Sequence, residues 1–251
     1  MSMLDNLSCP ICGGACSLLD TVDFNRTCED GRGRVLEPSG VAVDYVMCHG
    51  CGFSFAPEFA RWTPDDFAER IYNAKYALID PDYQDKRPRA NAAVLLSMFG
   101  DSVRGIRHLD YGGGNGVMSA VLREAGWKSV SYDPFGAGHV TISELGSFQL
   151  VTAFEVFEHV ADVRRLMEDL RGLLATDGMI LFSTMLSDGH IAFNERLAWW
   201  YATPRNGHIS LFSRESLGRL GQQYGWNFGS LSEGTHIFCA SLPSWAEGAF
   251  S

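Results

Sequence analysis

The 251-residue sequence has no apolar run that approaches the roughly 18 residues that a membrane-spanning helix needs. Its first residues, MSMLDNLSCPICGG, have neither the basic segment nor the apolar core of a secretory signal peptide. We therefore expect a cytoplasmic protein without a membrane partner.

Positive charge is scarce: lysine and arginine number 20 against 30 aspartates and glutamates, so the net charge is −10. Nucleic-acid-binding proteins usually carry a basic surface, because neutralisation of phosphates supplies much of their affinity. The charge balance argues against a nucleic-acid partner and is compatible with a neutral or cationic small-molecule substrate.

The length allows one large domain, or one domain with a small module.

Four of the seven cysteines form two C-x-x-C-G motifs, CPICG at 9–13 and CHGCG at 48–52. Two thiolates at this spacing can bind one ion from a tight turn, and the glycine that follows tolerates a positive φ. Two such turns supply four sulfur ligands, which suit tetrahedral zinc. The sequence therefore predicts a structural zinc site in a small β-rich module at 1–57, with these ligands: Cys9, Cys12, Cys48 and Cys51.

The other cysteines leave alternatives open. Cys16 and Cys28 lie between the two motifs, and either could replace a ligand, whereas Cys239 lies in an apolar segment typical of a core strand. A thioredoxin-like redox pair would need only one of the motifs.

Strand and helix patterns alternate after residue 105, and two closing strands follow. The strand patterns lie at 106–110, 129–133, 150–154, 179–183, 228–231 and 235–242. This alternation predicts an α/β fold with a Rossmann-like, mostly parallel seven-stranded sheet and helices on both faces. We expect a helical lid or linker at 58–104 and a main domain at 105–251 with an insertion at 186–212.

The stretch HLDYGGGNG at 108–116 places four glycines directly after the first of these strands. A P-loop requires G-x-x-x-x-G-K-[ST], and no lysine follows these glycines. The dinucleotide pattern G-x-G-x-x-G is also broken, because its sixth position is Val117 or Ser119. Asp110 directly precedes the glycines, where its carboxylate can accept hydrogen bonds from a cationic amine and would be a poor neighbour for pyrophosphate.

Two more segments lie at the ends of predicted strands. SYDPF at 131–135 contains Asp133, an acid placed to accept both hydroxyls of a ribose, and Phe135, which could lie against a purine. An aspartate before a proline is also common in ordinary turns. FEVFEH at 154–159 follows a later strand.

With these three segments, residues 70–242 resemble the class I S-adenosylmethionine-dependent methyltransferases. In that family, the LDxGxGxG turn surrounds the methionine part of the cofactor, the acid after the second strand binds its ribose, and the segment ending E-H-V lies beside it. The resemblance implies these cofactor-binding residues: Asp110, Gly112, Gly114, Asn115, Asp133, Pro134, Phe135, Phe154 and Glu155.

The cysteine motifs narrow the resemblance to zinc-ribbon methyltransferases, a group that includes deoxysugar C-methyltransferases of natural-product pathways. IYNAKY at 71–76 is similar to that group's tyrosine-bearing segment, which closes over the cofactor, so Tyr76 is implied as a cofactor contact. GHISLFS at 207–213 is similar to its H-x-S-x-F-S segment, in which the histidine, here His208, is the general base. That group has a glutamate where this sequence has Gly207.

The resemblance implies methyl transfer from S-adenosylmethionine to an oxygen, nitrogen or carbon of a small molecule. His208 is the first candidate for the general base and His159 the second, since histidine can take up a proton near neutral pH. Each could instead be structural, His208 as an anchor of its loop and His159 as a pocket wall or helix start. Two other functions remain: an NAD(P)-dependent oxidoreductase, and a non-catalytic protein that has the cofactor fold and recruits partners through its zinc module.

The insertion supplies candidate substrate contacts. Consecutive aromatic residues cannot all face one core, so a substrate wall or lid is plausible, although ordinary packing or a homodimer contact would explain them equally well. An arginine there could bind an anionic substrate group or be solvated. The candidates are Trp199, Trp200, Tyr201 and Arg205.

Overall fold

The computed structural model describes residues 7–136 and 141–250. The strands are β1 (Cys16–Asp23), β2 (Ala42–Cys48), β3 (Ser54–Phe55), β4 (Arg107–Tyr111), β5 (Lys128–Tyr132), β6 (Phe148–Ala153), β7 (Leu174–Ser183), β8 (Ser210–Leu211), β9 (Asn227–Ser230) and β10 (Thr235–Cys239). The α-helices are α1 (Pro64–Arg70), α2 (Tyr76–Ile79), α3 (Lys86–Phe99), α4 (Val117–Glu124), α5 (Ile142–Leu145), α6 (Val163–Leu173) and α7 (Arg214–Gln223). They belong to two compact units.

The first unit contains the residues up to Pro81 together with Phe157–Arg164 and Thr184–Leu220. Its sheet has the order β1-β2-β3-β8, and all neighbours are antiparallel. The last strand, β8, comes from the predicted insertion and pairs Leu211 with Ser54. The N-terminal strands and the insertion therefore form one sheet.

Aromatic side chains form the core of this first unit. The ring of Phe212 lies 4.9 Å from that of Phe53 and 5.9 Å from that of Phe157, measured between ring centroids. All three side chains are buried, as is Tyr45. Burial of such large apolar surfaces fixes the segments around residues 157 and 212 relative to β2 and β3.

The second unit contains Asp82–Val156, Arg165–Ser183 and the residues from Gly221 onward. Its sheet has the order β5-β4-β6-β7-β10-β9. The pairs β4–β5, β4–β6 and β6–β7 are parallel, whereas β10 runs antiparallel to both β7 and β9. This confirms the mostly parallel α/β sheet and its antiparallel edge.

The sheet has six strands in the described part of the chain, not the predicted seven. Between Asp133 and Gly146, the described residues form a turn and the short helix α5 and no further strand. Thr141 and Glu144 form a capping box, in which the Thr141 backbone N–H donates to the Glu144 carboxylate at 2.8 Å. Such a box favours a helix start over a strand. Residues 137–140 lie outside the described residues.

The central strands of this sheet are buried. Leu109, Leu150 and Leu181 are fully buried, as expected of parallel strands that are covered by other elements. Ala92 of α3 and Leu122 of α4 belong to the same core cluster as Leu150 and Leu181. No helix in the described residues is long and apolar enough to cross a membrane.

Strand register decides where the functional segments lie. Asp110 of β4 is paired with Ser131 of β5 on one side and with Thr152 of β6 on the other. Since parallel strands end at one edge of a sheet, the segments that follow β4, β5 and β6 meet there, and ligands of such sheets bind at this edge.

Two glycines of α7 should respond oppositely to replacement by alanine. A Cβ on Gly221 would lie 2.7 Å from a ring carbon of Phe238 and 3.0 Å from the Trp226 carbonyl oxygen, whereas a Cβ on Gly218 would meet nothing within 4 Å. We expect Gly221→Ala to lower the free energy of unfolding by about 1–3 kcal/mol through overpacking. Gly218→Ala should raise it by about 0.5–1 kcal/mol through helix propensity. Urea unfolding of both variants measures this, and equal effects would contradict the packing described.

Candidate functional site

The glycine turn after β4 passes very close to its neighbours. Gly112, Gly114 and Gly116 have φ values of 74°, 54° and 76°, which disfavour any side chain. A Cβ on Gly112 would lie 2.5 Å from the Cγ2 atom of Val156. The positive φ values favour glycine at all three positions, and the close approach of Val156 also excludes a side chain at Gly112.

Gly113 was not among the predicted site residues, yet it has the tightest surroundings in the turn. A Cβ there would overlap both the Ser131 hydroxyl and the Asp110 carboxylate. The only sequence signal was a glycine at a position that the LDxGxGxG pattern leaves variable. The backbone of the turn thus lies directly against two polar side chains at the ends of β4 and β5.

Asp110 is a buried carboxyl group, 4% exposed. Burial raises its pKa to about 8, the charge of Asp133 adds to the increase, and a hydrogen bond from the Thr152 hydroxyl at 3.4 Å opposes it. A cationic group bound beside it would favour the ionised form. The ionisation of Asp110, the predicted amine-binding residue, therefore depends on the charge of the ligand bound beside it.

A chain of buried side-chain hydrogen bonds leads across the strands to Asp110. His108 is fully buried, with Nδ1 2.8 Å from the Ser129 hydroxyl and Nε2 3.0 Å from the Thr152 hydroxyl. The Ser129 hydroxyl also lies 2.9 Å from the Ser119 hydroxyl. Burial lowers the pKa of His108 to about 3, so the ring is neutral near pH 7. No local sequence pattern indicates this hydrogen-bond chain, because its members are distant in sequence.

Asp133 holds the glycine turn to the end of β5. Its carboxylate accepts the backbone N–H of Gly114 at 2.8 Å and that of Phe135 at 2.8 Å. Each carboxylate oxygen has a second lone pair that can accept a ligand hydroxyl. Pro134 and Phe135 are exposed, Phe135 to 57%.

Ser131 is a second residue that sequence analysis missed. Its buried hydroxyl has no hydrogen-bond partner within the described residues. It lies beside Asp110 in the strand register and against the Gly113 backbone. A buried hydroxyl at a ligand-binding edge is a suitable contact for a polar ligand, because an unsatisfied buried group costs stability.

Glu155 follows β6 with a φ of 55°, in the left-handed region that non-glycine residues seldom adopt. Ser183 holds it: the Glu155 N–H donates to the Ser183 hydroxyl at 2.8 Å, and that hydroxyl donates to the Glu155 carboxylate at 3.1 Å. The Oε2 atom of Glu155 also lies 3.8 Å from a guanidinium nitrogen of Arg87. Strained backbone of this kind concentrates at functional sites.

Two other predicted cofactor contacts, Phe154 and Asn115, interact with other residues of the second unit. Phe154 is half-buried against the hydrophobic core, and the Asn115 amide donates to the Gln84 carbonyl at 2.9 Å. Tyr76 belongs to the first unit, where its buried hydroxyl donates to the Asn206 carbonyl at 3.1 Å.

The four predicted zinc ligands lie together in the first unit. The sulfurs of Cys9 and Cys51 are 3.6 Å apart, those of Cys12 and Cys48 are 3.4 Å apart, and all four lie within 4.8 Å of one another. A tetrahedral zinc with bonds of about 2.3 Å separates its sulfurs by about 3.8 Å. The arrangement of the sulfurs therefore fits such an ion.

His208 lies in a second cluster of the first unit, with Glu158 and His159. One potential ligand atom from each lies within 4.8 Å of the others. The Tyr72 hydroxyl is 3.1 Å from Nδ1 of His159, and the Tyr201 hydroxyl donates to the Glu158 carboxylate at 2.7 Å. Sequence analysis considered the two histidines separately and did not predict that Glu158 joins them.

The backbone around this cluster is well anchored. The Ile209 N–H donates to the Glu158 carbonyl at 2.8 Å, and the Tyr45 hydroxyl donates to the His208 carbonyl at 2.6 Å. Nδ1 of His208 lies 2.9 Å from the Tyr201 carbonyl oxygen. A carbonyl oxygen can only accept, so Nδ1 carries the hydrogen and the lone pair of the neutral ring is on Nε2.

Gly207 packs closely against the cluster of Glu158, His159 and His208. Its φ is 90°, and a Cβ there would lie 2.9 Å from Nδ1 of His159 and 3.0 Å from the Tyr72 hydroxyl. A side chain at this position would require the His159–Tyr72 pair to move, because this pair occupies the space.

The four predicted substrate contacts differ in their surroundings. Trp199 and Tyr201 are buried, whereas Trp200 is 49% exposed. The Trp199 ring stacks on that of His190, with 5.1 Å between ring centroids. Arg205 is buried and donates to the Ile71 carbonyl at 3.1 Å, so it is not the solvated residue considered from the sequence.

Residues 83–231, well over half of the chain, match a family model that is described as a methyltransferase domain. The chain belongs to this methyltransferase family. No curated protein matches the sequence.

Solved structures show weaker likenesses. A methyltransferase of calicheamicin biosynthesis, in an S-adenosylhomocysteine-bound form, is 19% identical over 70% of this chain and 63% of its own, with a TM-score of 0.45. The 1,6-didemethyltoxoflavin N1-methyltransferase of Burkholderia thailandensis is 17% identical over 81% of this chain and 96% of its own, with a TM-score of 0.49. The magnesium protoporphyrin IX methyltransferase of Synechocystis is 15% identical over 72% and 95%, with a TM-score of 0.42.

The pH dependence of stability should reveal the buried carboxyl of Asp110. Its folded-state pKa of about 8 is higher than the value of about 3.9 in an unfolded chain. Its contribution to the free energy of unfolding is therefore fully present below pH about 4 and is lost as the pH rises through about 8. Asp110→Asn cannot ionise, so it should show a shallower decrease than the wild type in urea unfolding without ligand. Identical pH profiles would show that Asp110 does not titrate in this way.

Proposed function

We propose that this protein transfers a methyl group from S-adenosylmethionine to a small-molecule acceptor. The observation that carries the proposal is the arrangement at the ends of β4 and β5, in a chain of the methyltransferase family. There, a glycine turn lies against the carboxyl of Asp110 and is held by the carboxylate of Asp133.

Asp133 is proposed to bind the ribose. Backbone N–H groups orient its carboxylate, and each oxygen can accept one further hydrogen bond, so it suits a pair of neighbouring hydroxyls. The exposed ring of Phe135 and the adjacent Pro134 are proposed to contact the adenine.

Asp110 and the glycine turn are proposed to hold the methionine part. The ammonium group of the cofactor would convert the buried carboxyl into a carboxylate, because an opposite charge nearby favours the charged form. Ser131 and Glu155 add a hydroxyl and a second carboxylate at the same sheet edge. The remaining proposed cofactor contacts are Gly112, Gly114, Asn115, Phe154 and Tyr76.

His208 is proposed as the general base. In its neutral form the ring carries the lone pair on Nε2, because Nδ1 donates to the Tyr201 carbonyl. In the reaction the acceptor atom forms a bond to the methyl carbon, the bond between that carbon and the sulfonium sulfur breaks, and the acceptor proton moves to Nε2. The products are the methylated acceptor and S-adenosylhomocysteine. His159 is the second candidate for this role.

The acceptor is proposed to be a small molecule bound by the aromatic residues of the insertion. Trp199, Trp200 and Tyr201 offer flat apolar surfaces, and Arg205 offers a guanidinium for an anionic group. Burial lowers the pKa of Arg205, yet an arginine stays protonated near neutral pH.

Zinc is proposed as a structural ion of the first unit, held by Cys9, Cys12, Cys48 and Cys51. The distances between their sulfurs support a tetrahedral site, and soft thiolates suit this metal. The ion would cross-link the turn at residues 9–13 to the turn at 48–52.

Donor binding tests the proposed function first. The melting temperature and calorimetric affinity are measured with S-adenosylmethionine, S-adenosylhomocysteine and NAD. We expect stabilisation by the first two alone, about 2.7 kcal/mol at a hundred times the dissociation constant. Asp133→Asn should weaken their binding by about 10–100-fold, since hydrogen bonds to a charged group contribute about 1.5–3 kcal/mol. Asp177→Asn, at an exposed position of the same unit, is the control.

Stabilisation by NAD alone would instead support the oxidoreductase. Binding of no ligand would support the non-catalytic alternative.

Turnover tests His208. Formation of S-adenosylhomocysteine is followed with a panel of small hydroxyl, amine and activated-carbon acceptors. His208→Gln should bind the donor like the wild type and lose about 10²–10⁴-fold in turnover. Glu195→Gln, at an exposed position of the same insertion, should remain active. Turnover of His208→Gln within about tenfold of the wild type would exclude it as the base.

Metal analysis tests the zinc site. The purified protein should contain zinc, and the double variant Cys12→Ser, Cys48→Ser should lose it and unfold at a lower temperature, because metal binding is coupled to folding. Cys239→Ser, at a buried cysteine far away in the sequence, should retain the metal. A zinc-free wild type that is as stable as the metal-loaded protein would contradict the site.

A further inference from the structure

We propose that Glu158, His159 and His208 form a second metal site, for a divalent first-row transition metal with nitrogen and oxygen ligands. One potential ligand atom of each residue lies within 4.8 Å of the others, close enough for one ion to draw them together. Two imidazoles and a carboxylate are a ligand set that such ions bind well. The site is distinct from the four cysteines, which supply only sulfur.

The surroundings of the two histidines are those of metal ligands. His208 donates from Nδ1 to the Tyr201 carbonyl, so its lone pair is on Nε2. Nδ1 of His159 lies 3.1 Å from the Tyr72 hydroxyl, and its Nε2 lies 3.9 Å from the Glu158 carboxylate. A histidine that binds a metal through one nitrogen usually donates from the other to a protein acceptor, which fixes its tautomer and orientation.

Glu158 is oriented in a similar way. Tyr201 donates its hydroxyl to one carboxylate oxygen at 2.7 Å, and the same residue's carbonyl accepts from His208. Tyr201 therefore orients two of the three proposed ligands at once. Hydrogen-bonded carboxylate ligands with such outer partners are typical of metal sites.

Burial gives an energetic reason for a cation. The Glu158 side chain is fully buried and that of His159 is only 15% exposed. A buried carboxylate costs free energy unless a positive charge compensates it. A divalent ion would supply that charge with the two imidazoles still neutral.

The backbone holds the ligand-bearing segments in place before any ion binds. The Ile209 N–H donates to the Glu158 carbonyl, and the Ser210 hydroxyl donates to the Val160 carbonyl at 2.6 Å. On the other side, the His208 N–H donates to the Thr203 carbonyl at 3.2 Å. Preorganised ligands lose little conformational entropy on binding, which favours affinity.

The inference goes beyond the proposed function and does not rest on it, but the two meet at Nε2 of His208. One nitrogen lone pair cannot hold a proton and a metal ion together. Occupancy by a metal should therefore inhibit proton transfer by His208, and methyl transfer should fall in proportion to the occupied fraction.

Uptake of Co²⁺ tests the site without donor or acceptor. Zinc-loaded protein is dialysed against increasing Co²⁺, and bound metals and the visible spectrum are measured. We expect the wild type and His190→Gln to bind one further equivalent that shows cobalt d–d bands but no thiolate charge-transfer band. Glu158→Gln and His208→Gln should lose that equivalent and retain the cysteine-bound zinc, which also reports that they are folded.

Tyr201→Phe gives a finer test, because it removes only the hydroxyl that orients Glu158. Its affinity for Co²⁺ should fall by about 10–100-fold, the usual effect of losing an outer partner. The proposal is overturned if the wild type binds no second equivalent, if His208→Gln binds it as tightly as the wild type, or if Tyr201→Phe leaves the affinity unchanged. None of these outcomes would affect the donor-binding result, so failure here is distinguishable from failure of the proposed function.

Discussion

The close approach of a glycine turn to two polar side chains at the edge of the parallel sheet is the constraint on which the cofactor site depends. At Gly113, no side chain fits between the backbone and the groups of Asp110 and Ser131. The hydrogen bond from Gly114 to Asp133 then fixes the same turn to the neighbouring strand. Because the carboxyl of Asp110 is buried beneath this backbone, a cationic ligand at the turn has a large effect on its ionisation.

A different principle organises the cluster in the first unit. There, backbone carbonyls and tyrosine hydroxyls orient side chains that can accept a proton or bind a metal. Tyr201 serves two of them, Glu158 through its hydroxyl and His208 through its carbonyl. Gly207 leaves the space that the His159–Tyr72 pair fills. The positions of these side chains therefore depend on the packing around them as well as on the presence of the two histidines.

The parts of this account that depend on local sequence could be predicted. The mostly parallel sheet followed from the alternation of strands and helices, and the pairing of CPICG with CHGCG followed from spacing. The predicted seventh strand is not found in the described residues, where the capping box of Thr141 and Glu144 favours a helix. Tertiary packing between distant segments creates the other features. These are the hydrogen-bond chain from His108 to Asp110, the buried hydroxyl of Ser131 and the position of Glu158 beside two histidines. No local pattern reports such contacts.

A crystal structure with bound S-adenosylhomocysteine would test the central claim most directly. The account predicts that both ribose hydroxyls donate to the Asp133 carboxylate and that the amino group lies at the glycine turn, where it interacts with Asp110. A ligand bound elsewhere, or a ribose beyond hydrogen-bond distance of Asp133, would contradict the account.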